Sequence, residues 1–472
     1  MIGDFEDVVF LSDYTTPGVA EVHLFDGFEV RVLSDPQPPG TVVTSYSFSD
    51  DLSTLLYATS GPDDERVYVK PLRGTTAGVL RYTSAGKAGQ VGNRVFATLN
   101  PDGSYMTVTD GWFGTYKNHF VVNTATGAAT HVAGNMPGIL DTRFVLFHPA
   151  EPTLVMLQAQ TAGPLPRDPL TAAVTAFIGN AADMRTLTRI GQDYAAGEYG
   201  AGEGIYFGKN PRYLYHGEFK RVSGSMVTNL LVYDRETEIE TALVRNASPP
   251  DRGLNGVAFS SPDFGRLCYG FFESSTTLHD GPSRFFATDL TTPIAPAATV
   301  MATPILNDIT QCQFASDNRT MIYRIYTAGR ITQQAYVVDS LVPATPQLLA
   351  PAGEAGSKQG LWHTAKSSMR IAVLYFNNNG VPSTAGQAGR FYSIPLGGGG
   401  DPFLFSDTFE TTGSMPFFAS SADGSFLLYQ RQQAGIQALE LMSTHGLNLS
   451  IPLSGTGETI GVRSARWLRK YP

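Results

Sequence analysis

The sequence predicts an all-β fold, a single closed β-propeller of four-stranded antiparallel blades in one domain spanning 1–472. Three observations carry this. A short phrase recurs along the whole chain: "FATLNPDGSYMTVTDGWF" from Phe96, with relatives "YSFSDDLSTLLYATS" from Tyr46, "VAFSSPDFGRLCYGFF" from Val257, "QFASDNRTMIYRIY" from Gln313 and "FFASSADGSFLLYQ" from Phe417. The phrase returns about every 45–50 residues, the period of a propeller blade. The composition suits turn-rich β structure: 42% hydrophobic, 11% aromatic and only 16% charged, the last against roughly 25% in an average soluble protein.

Each copy has the same grammar. An apolar strand ends at a polar turn rich in Asp, Asn, Gly or Pro, and a second strand follows, as in "YMTVTDG", "TLLYATS" and "SFLLYQR". Asp-Gly supplies residues that tolerate positive φ, which a tight hairpin requires. A third strand alternates large apolar residues ("ERVYVKPL", "TNLLVYDRETE", "QQAYVVDS"), and a weaker fourth, such as "AATHVA" or "IETALV", closes the unit. A lone sheet of this kind has two faces to cover, and radial stacking covers both.

Second strands begin near Leu55, Tyr105, Leu154, Tyr213, Leu267, Met321, Ile371 and Phe426. The opening segment "DVVFLSDYTTPGVAEVHLFDGFEVRVL" reads as second, third and fourth strands without a first. The closing "IGVRSARWLRK" reads as a first strand with nothing after it. The expectation is nine blades, with eight as the alternative, closed by the C-terminal strand completing the N-terminal blade. The fourth unit is the divergent one, because "TAGPLPRDPLTA" interposes a Pro-rich loop between its strands.

At "FSSPDFGRLCYG", "LNPDGSYMTV" and "SSADGSFLLYQ" the chain resembles the PD40 (WD40-like) repeat of TolB-like propellers, over nearly its whole length. The resemblance implies an extracytoplasmic binding scaffold. The S-x-R-x-G element of that family survives only as traces in "LSDYTTPG" and "ATSGPDDER", and no α/β domain precedes the repeats, so no specific TolB partner carries over.

Charge and motifs narrow the function. The net charge of −9 comes without a Lys/Arg cluster, which disfavours nucleic acid as partner. No run of 18 apolar residues marks a membrane span, and "MIGDFEDVVF" has no secretory pattern. Low charge with abundant Ser, Thr and Gly favours a periplasmic or secreted setting. The nucleophile elbow G-x-S-x-G, H-E-x-x-H, EF-hand and P-loop patterns are all absent. "SSADGSF" resembles a sialidase Asp-box without its Thr-Trp ending and reads as a hairpin turn. The eight histidines, including His148, His216 and His363, show no local metal-ligand spacing. No catalytic residue, metal ligand or cofactor is assigned. Cys268 and Cys312 are too few for a disulfide framework or zinc site; they read as two buried free thiols, with one inter-blade disulfide as the alternative.

Loop lengths point to a working surface. Turns between first and second strands are mostly tight. Connections between second and third strands, and crossovers between units, are long: "DGWFGTYKN", "SSTTLHDGPSR", "YFNNNGVPSTAGQAGR", "GQDYAAGEYGAGEG" and "RNASPPDRGLNG". Loops on a rigid scaffold are favoured binding positions. Two candidate groups follow. Trp112, Phe113, Tyr116, Tyr194 and Tyr199 offer rigid amphipathic contacts. Arg94, Arg143, Glu203, Asn255, Asp308 and Gln359 stand where first strands begin, around the channel mouth, as a polar ring suited to a carbohydrate or acidic ligand. The leading expectation is a non-catalytic scaffold presenting this face to a protein or glycan. The alternatives are a polysaccharide lyase or hydrolase acting at the channel mouth, with Glu203 and Asp308 as its carboxylates, and a structural subunit of a surface assembly.

Overall fold

The computed structural model describes residues 7–84, 95–110, 118–132, 139–161, 174–190, 201–222, 225–244, 254–261, 263–272, 283–291, 299–300, 309–315, 317–326, 333–340, 347–349, 358–364, 370–376, 387–396, 403–411, 418–421, 426–433, 436–443, 450–452 and 464–468. Among these residues every helix or strand is a strand, so no helix is long and apolar enough to cross a membrane. The strands form nine four-stranded antiparallel sheets. Eight of them are built from four consecutive strands each: sheet 2 (42–83), sheet 3 (96–131), sheet 4 (139–190), sheet 5 (201–244), sheet 6 (254–300), sheet 7 (309–348), sheet 8 (358–411) and sheet 9 (418–452). Sheet 1 is composite. Its strands Val8–Ser12, Glu21–Phe25 and Val30–Val32 are completed by Ser464–Trp467, with Val8 opposite Trp467 and Leu11 opposite Ser464.

The expectation of one closed ring of nine blades, or eight, is corrected. The chain divides into two compact units, one of 1–205, 233–240 and 457–472, the other of 206–232 and 241–456. The division falls within sheet 5. A sequence period reports the repeating sheet, because each copy satisfies the same local needs. It does not report how many copies share one closed arrangement. The Pro-rich stretch 162–173 lies outside the described residues.

Within the first unit the cores explain why the sheets need neighbours. In the second strand of sheet 2, alternate residues point to opposite faces. Leu55 and Tyr57 pack with Val9, Leu11, Val22 and Leu24 of sheet 1, while Leu56 and Ala58 pack with Leu99, Met106 and Val108 of sheet 3. Val121 of sheet 3 then joins Val145, Val155 and Leu157 of sheet 4. The second unit repeats the scheme: Tyr215 and Val232 pack with Leu267 and Leu290, and Ile322 and Val337 with Tyr392 and Ile394.

A buried tyrosine recurs on second strands. Tyr57, Tyr215 and Tyr323 are the largest fully buried side chains among the described residues. Tyr57 and Tyr323 each stack on the tyrosine directly opposite in the third strand, Tyr68 and Tyr336, with ring centroids 5.2 and 5.7 Å apart. The Tyr57 and Tyr215 hydroxyls leave their own sheets, the first donating to Asp35 and the second to the Leu290 carbonyl at 2.9 Å. Asp35, in the connection between sheets 1 and 2, also takes Lys70 Nζ at 2.8 Å and the Gly78 amide at 2.6 Å. These three donors hold its carboxyl below the usual range despite partial burial.

Candidate binding face

The recurrent phrase folds into one hydrogen-bonded turn between first and second strands. In sheet 3 the Asn100 amide donates to the Tyr105 carbonyl at 2.9 Å, Asn100 Oδ1 accepts from the Tyr105 amide at 3.0 Å, and Asp102 Oδ1 accepts from the Ser104 amide at 2.9 Å. Ser49 and Asp51 do the same in sheet 2, Ser261 and Asp263 in sheet 6. Ser421 accepts from the Phe426 amide at 3.0 Å in sheet 9. In sheet 4 the position is taken by His148, whose Nδ1 accepts from the Ala150 and Glu151 amides at 3.0 and 3.2 Å. The third turn residue adopts positive φ: Leu52 at 56°, Gly103 at 73°, Phe264 at 56° and Asn318 at 55°. Gly103 fits for a second reason, since a Cβ there would sit 2.9 Å from Thr54 Oγ1 of the preceding sheet.

The turns also bind one another. The Asp50 amide donates to the Pro101 carbonyl at 2.7 Å, and Asn100 Nδ2 donates to the Pro152 carbonyl at 3.0 Å. In the second unit the Lys209 amide donates to the Phe264 carbonyl at 3.0 Å, and the Asp263 amide to Asn318 Oδ1 at 3.1 Å. At this end of the sheets the polar groups are spent on architecture.

The opposite end is built differently. Five first strands break register with their second strands near their entry. The extra residues are Thr44 in sheet 2, Leu140 and Arg143 in sheet 4, the 255–257 segment in sheet 6, Thr310 in sheet 7 and the 360–361 segment in sheet 8. Bulges of this kind concentrate beside functional sites and redirect the strand. Carboxylates at this end brace the connections. Asp110 closes the second strand of sheet 3, and it accepts from Tyr82 OH at 2.7 Å and Ser84 Oγ at 2.9 Å, both from sheet 2. Burial and the Asp110 carboxylate push the Tyr82 phenol up. Buried Glu65 accepts the Val95 amide, pinning the crossover into sheet 3.

In sheet 1, His23 lies fully buried, stacked on Phe10 at 5.1 Å, its Nε2 2.7 Å from Thr15 Oγ1. Burial pushes His23 down to about 4 and raises Glu21. His148 is likewise pushed down to about 4 by burial. Both rings are structural and neutral. Among the described residues no group of three or more His, Cys, Asp or Glu is arranged to hold a metal ion.

Of the candidate residues, Arg143, Glu203, Asn255 and Gln359 lie on the first strands Ile139–Phe147, Ala201–Phe207, Leu254–Ser260 and Lys358–Thr364. Arg143 and Asn255 fall within bulges and Gln359 flanks one. The side chains of these four, and Arg94, Trp112, Phe113, Tyr116, Tyr194, Tyr199 and Asp308 entirely, lie outside the described residues. Sequence reading missed the bulges, which leave no local signature, and the Asp110 and Glu65 braces. Asp110 itself stood in the quoted phrase. The expected free thiols are corrected too. Cys268 is disulfide-bonded, and Cys312 is the only other cysteine in the chain. Their strands, Arg266–Phe272 and Ile309–Phe314, belong to neighbouring sheets that meet in space, which the 44-residue separation alone does not reveal.

No protein-family model matches the chain, and no curated protein matches it. Solved structures do. Dipeptidyl peptidase 4 from Porphyromonas gingivalis superposes with a TM-score of 0.53 at 11% identity, covering 90% of this chain and 61% of that one. The sheets are β-propeller blades. A prolyl endopeptidase gives a TM-score of 0.49 at 9% identity over 84% of this chain and 55% of that one. TolB from Acinetobacter baumannii gives 0.32 at 15% identity over 79% and 82%. The chain spans less than two thirds of the two peptidases, and the likeness concerns the blades alone.

Proposed function

We propose that this chain is a non-catalytic binding scaffold that presents the loop-rich ends of its blades to a protein or glycan partner at the cell envelope. The observation that carries this reading is the contrast between the two blade ends. Tight turns consume their polar groups in bonds to one another, while the opposite ends combine bulged strand entries with long connections braced by Asp110 and Glu65. The sequence puts polar residue types, Arg143, Asn255 and Gln359 among them, on these entry strands, and such types suit directed hydrogen bonding to a partner. The segment that follows Asp110 adds Trp112, Phe113 and Tyr116 as aromatic contacts.

The PD40-like turns support kinship with TolB-like scaffolds, and a disulfide supports an oxidising compartment outside the cytoplasm. Affinity capture from the native source tests the reading, comparing the unaltered chain with W112A/Y116A. Loss of a reproducible partner upon substitution supports it. Identical capture by both chains removes the aromatic loop from the surface.

A further inference from the structure

Sheet 1 ends outward on the short strand Val30–Val32, with no strand beyond it. The Leu33 amide donates to the Val22 carbonyl at 2.7 Å and the Asp26 amide to the Glu29 carbonyl at 3.3 Å. Bonded and unbonded residues alternate along an antiparallel ladder, so Leu24 with Arg31 is the bonded pair between these two. Val30 and Val32 therefore turn their amides and carbonyls away from the sheet. The side chains around them are open as well. Phe28 is 95% exposed and Val32 37%. Glu29 and Arg31 are exposed too, and neither is in a salt bridge among the described residues. Phe28 is held where it stands: Gly27 has φ 92°, and Asp26 Oδ1 accepts the Phe28 and Glu29 amides at 3.1 Å each. Other outer strands of this unit are blunted. That of sheet 2, Val79–Thr83, carries an extra residue at Arg81, and that of sheet 4, Asp183–Ile190, carries Asp183, Arg185 and Arg189. Bulges and charges are the usual protection of an open edge.

The order Phe28-Glu29-Val30-Arg31-Val32 is complementary to itself. A two-fold axis at Val30 sets a second copy antiparallel to the first, with Val30 facing Val30 and Glu29 facing Arg31 in both directions. The outward groups of the two Val30 residues then exchange amide–carbonyl bonds, as the bonded pair of such a ladder does. One face of the joined strands gains two Glu–Arg pairs, and on the other Phe28 comes alongside the second copy's Val32. Opposite charges and aromatic–β-branched neighbours stabilise paired strands, whereas like charges directly opposite destabilise them. Arg31 thus guards the edge against foreign strands yet suits a second copy of its own. We propose that the outer edge Phe28–Val32 is the contact through which two copies of this chain pair, joining their first blades into one continuous sheet. A contact of this kind uses the same patch on both copies and closes at two. Five residues a side are well below the roughly 20–30 of a standard interface, so the dimer forms with concentration. The proposal goes beyond the scaffold reading and does not depend on it; where both hold, one particle carries two binding faces.

Sedimentation velocity of the full chain, from micromolar to millimolar concentration, tests the proposal. A monomer–dimer equilibrium is expected. F28S and R31E should each weaken it about ten-fold. Both side chains are exposed, so circular dichroism and the denaturation midpoint should stay unaltered. The double reversal E29R/R31E should restore dimerisation, and E29R mixed with R31E should associate more tightly than either variant alone. A chain that stays monomeric throughout, a dimer indifferent to F28S and R31E, or a charge reversal that restores nothing overturns the proposal. A monomeric chain that loses a captured foreign partner in F28S assigns the edge to that partner and equally overturns the pairing of copies. Capture through Trp112 and Tyr116 is read separately, so the scaffold reading stands or falls by its own experiment.

Discussion

The two ends of a blade solve opposite problems. At the first turn, Asn100 closes its own hairpin through the Tyr105 amide and reaches the next blade through the Pro152 carbonyl, so one side chain serves two sheets. At the far end of the same sheet, Asp110 also bridges two blades, through Tyr82 and Ser84, but it does so at the foot of a long connection. The turn end is closed by backbone hydrogen bonds. Among the described residues the far end is braced by the Asp110 and Glu65 carboxylates. The proposed function places binding at the far end, so substitutions at the two ends should separate stability from binding.

The largest effect belongs to the shared core between the ends. Tyr57→Ala removes a fully buried ring, its stack on Tyr68 and its bond to Asp35, and should cost about 4 kcal/mol in chemical denaturation. A loss below about 1 kcal/mol would mean that neighbouring blades do not depend on this contact. Comparable in size, C268A/C312A opens a loop of about 45 residues and should cost about 4 kcal/mol in the chain-entropy account, measured against the oxidised protein.

Acid should act next. His23 and His148 are buried neutral with pKa values pushed down to about 4, while an unfolded histidine titrates near 6.5. Between those values the unfolded chain binds more protons than the folded one, so stability falls as pH drops from about 6.5 towards 4. The loss is up to about 3 kcal/mol for each ring. His148→Asn keeps an acceptor in the turn and should flatten that slope in pH-dependent denaturation; an unaltered slope would deny His148 its part.

Asn100→Ala comes below this. It strips one turn of its closing acceptor and its link to the next blade, for a cost of about 1–2 kcal/mol, without change in partner capture. Smallest in stability is Asp110→Asn, at about 1 kcal/mol. It should instead weaken partner capture, because it loosens the base of the segment carrying Trp112. If Asn100→Ala harms capture and Asp110→Asn does not, the division between the ends is reversed.

Much of the fold was legible because its signals are local. Asp102-Gly103 announces a tight turn through the φ its residues tolerate, and "LLY" announces a strand buried on both faces. The pairing of Ser464–Trp467 with Val8–Ser12 could be argued from what each terminus lacked. Other features depend on relations that a linear pattern does not hold. Leu52 and Phe264 take positive φ because the turn's hydrogen bonds impose it, against the preference of their side chains. Bulges arise from the mismatch of two strands, the disulfide from adjacency of two sheets, and the division into two units from contacts summed over the chain. At the candidate site, strand position marked the polar residues Arg143, Glu203, Asn255 and Gln359, and the bulges beside three of them had no mark in the sequence. The side chains that braced this end, Tyr82, Ser84 and Glu65, had no such mark, because each acts on a neighbour distant in sequence.

The links from turn to turn bear on how such a chain can change over generations. A residue inserted between Asn100 and Tyr105 would misalign contacts with the sheets on both sides at once. Related chains should therefore keep the spacing of these turns even where their letters drift. An engineer wishing to graft a foreign peptide onto this scaffold should leave the turns between first and second strands intact.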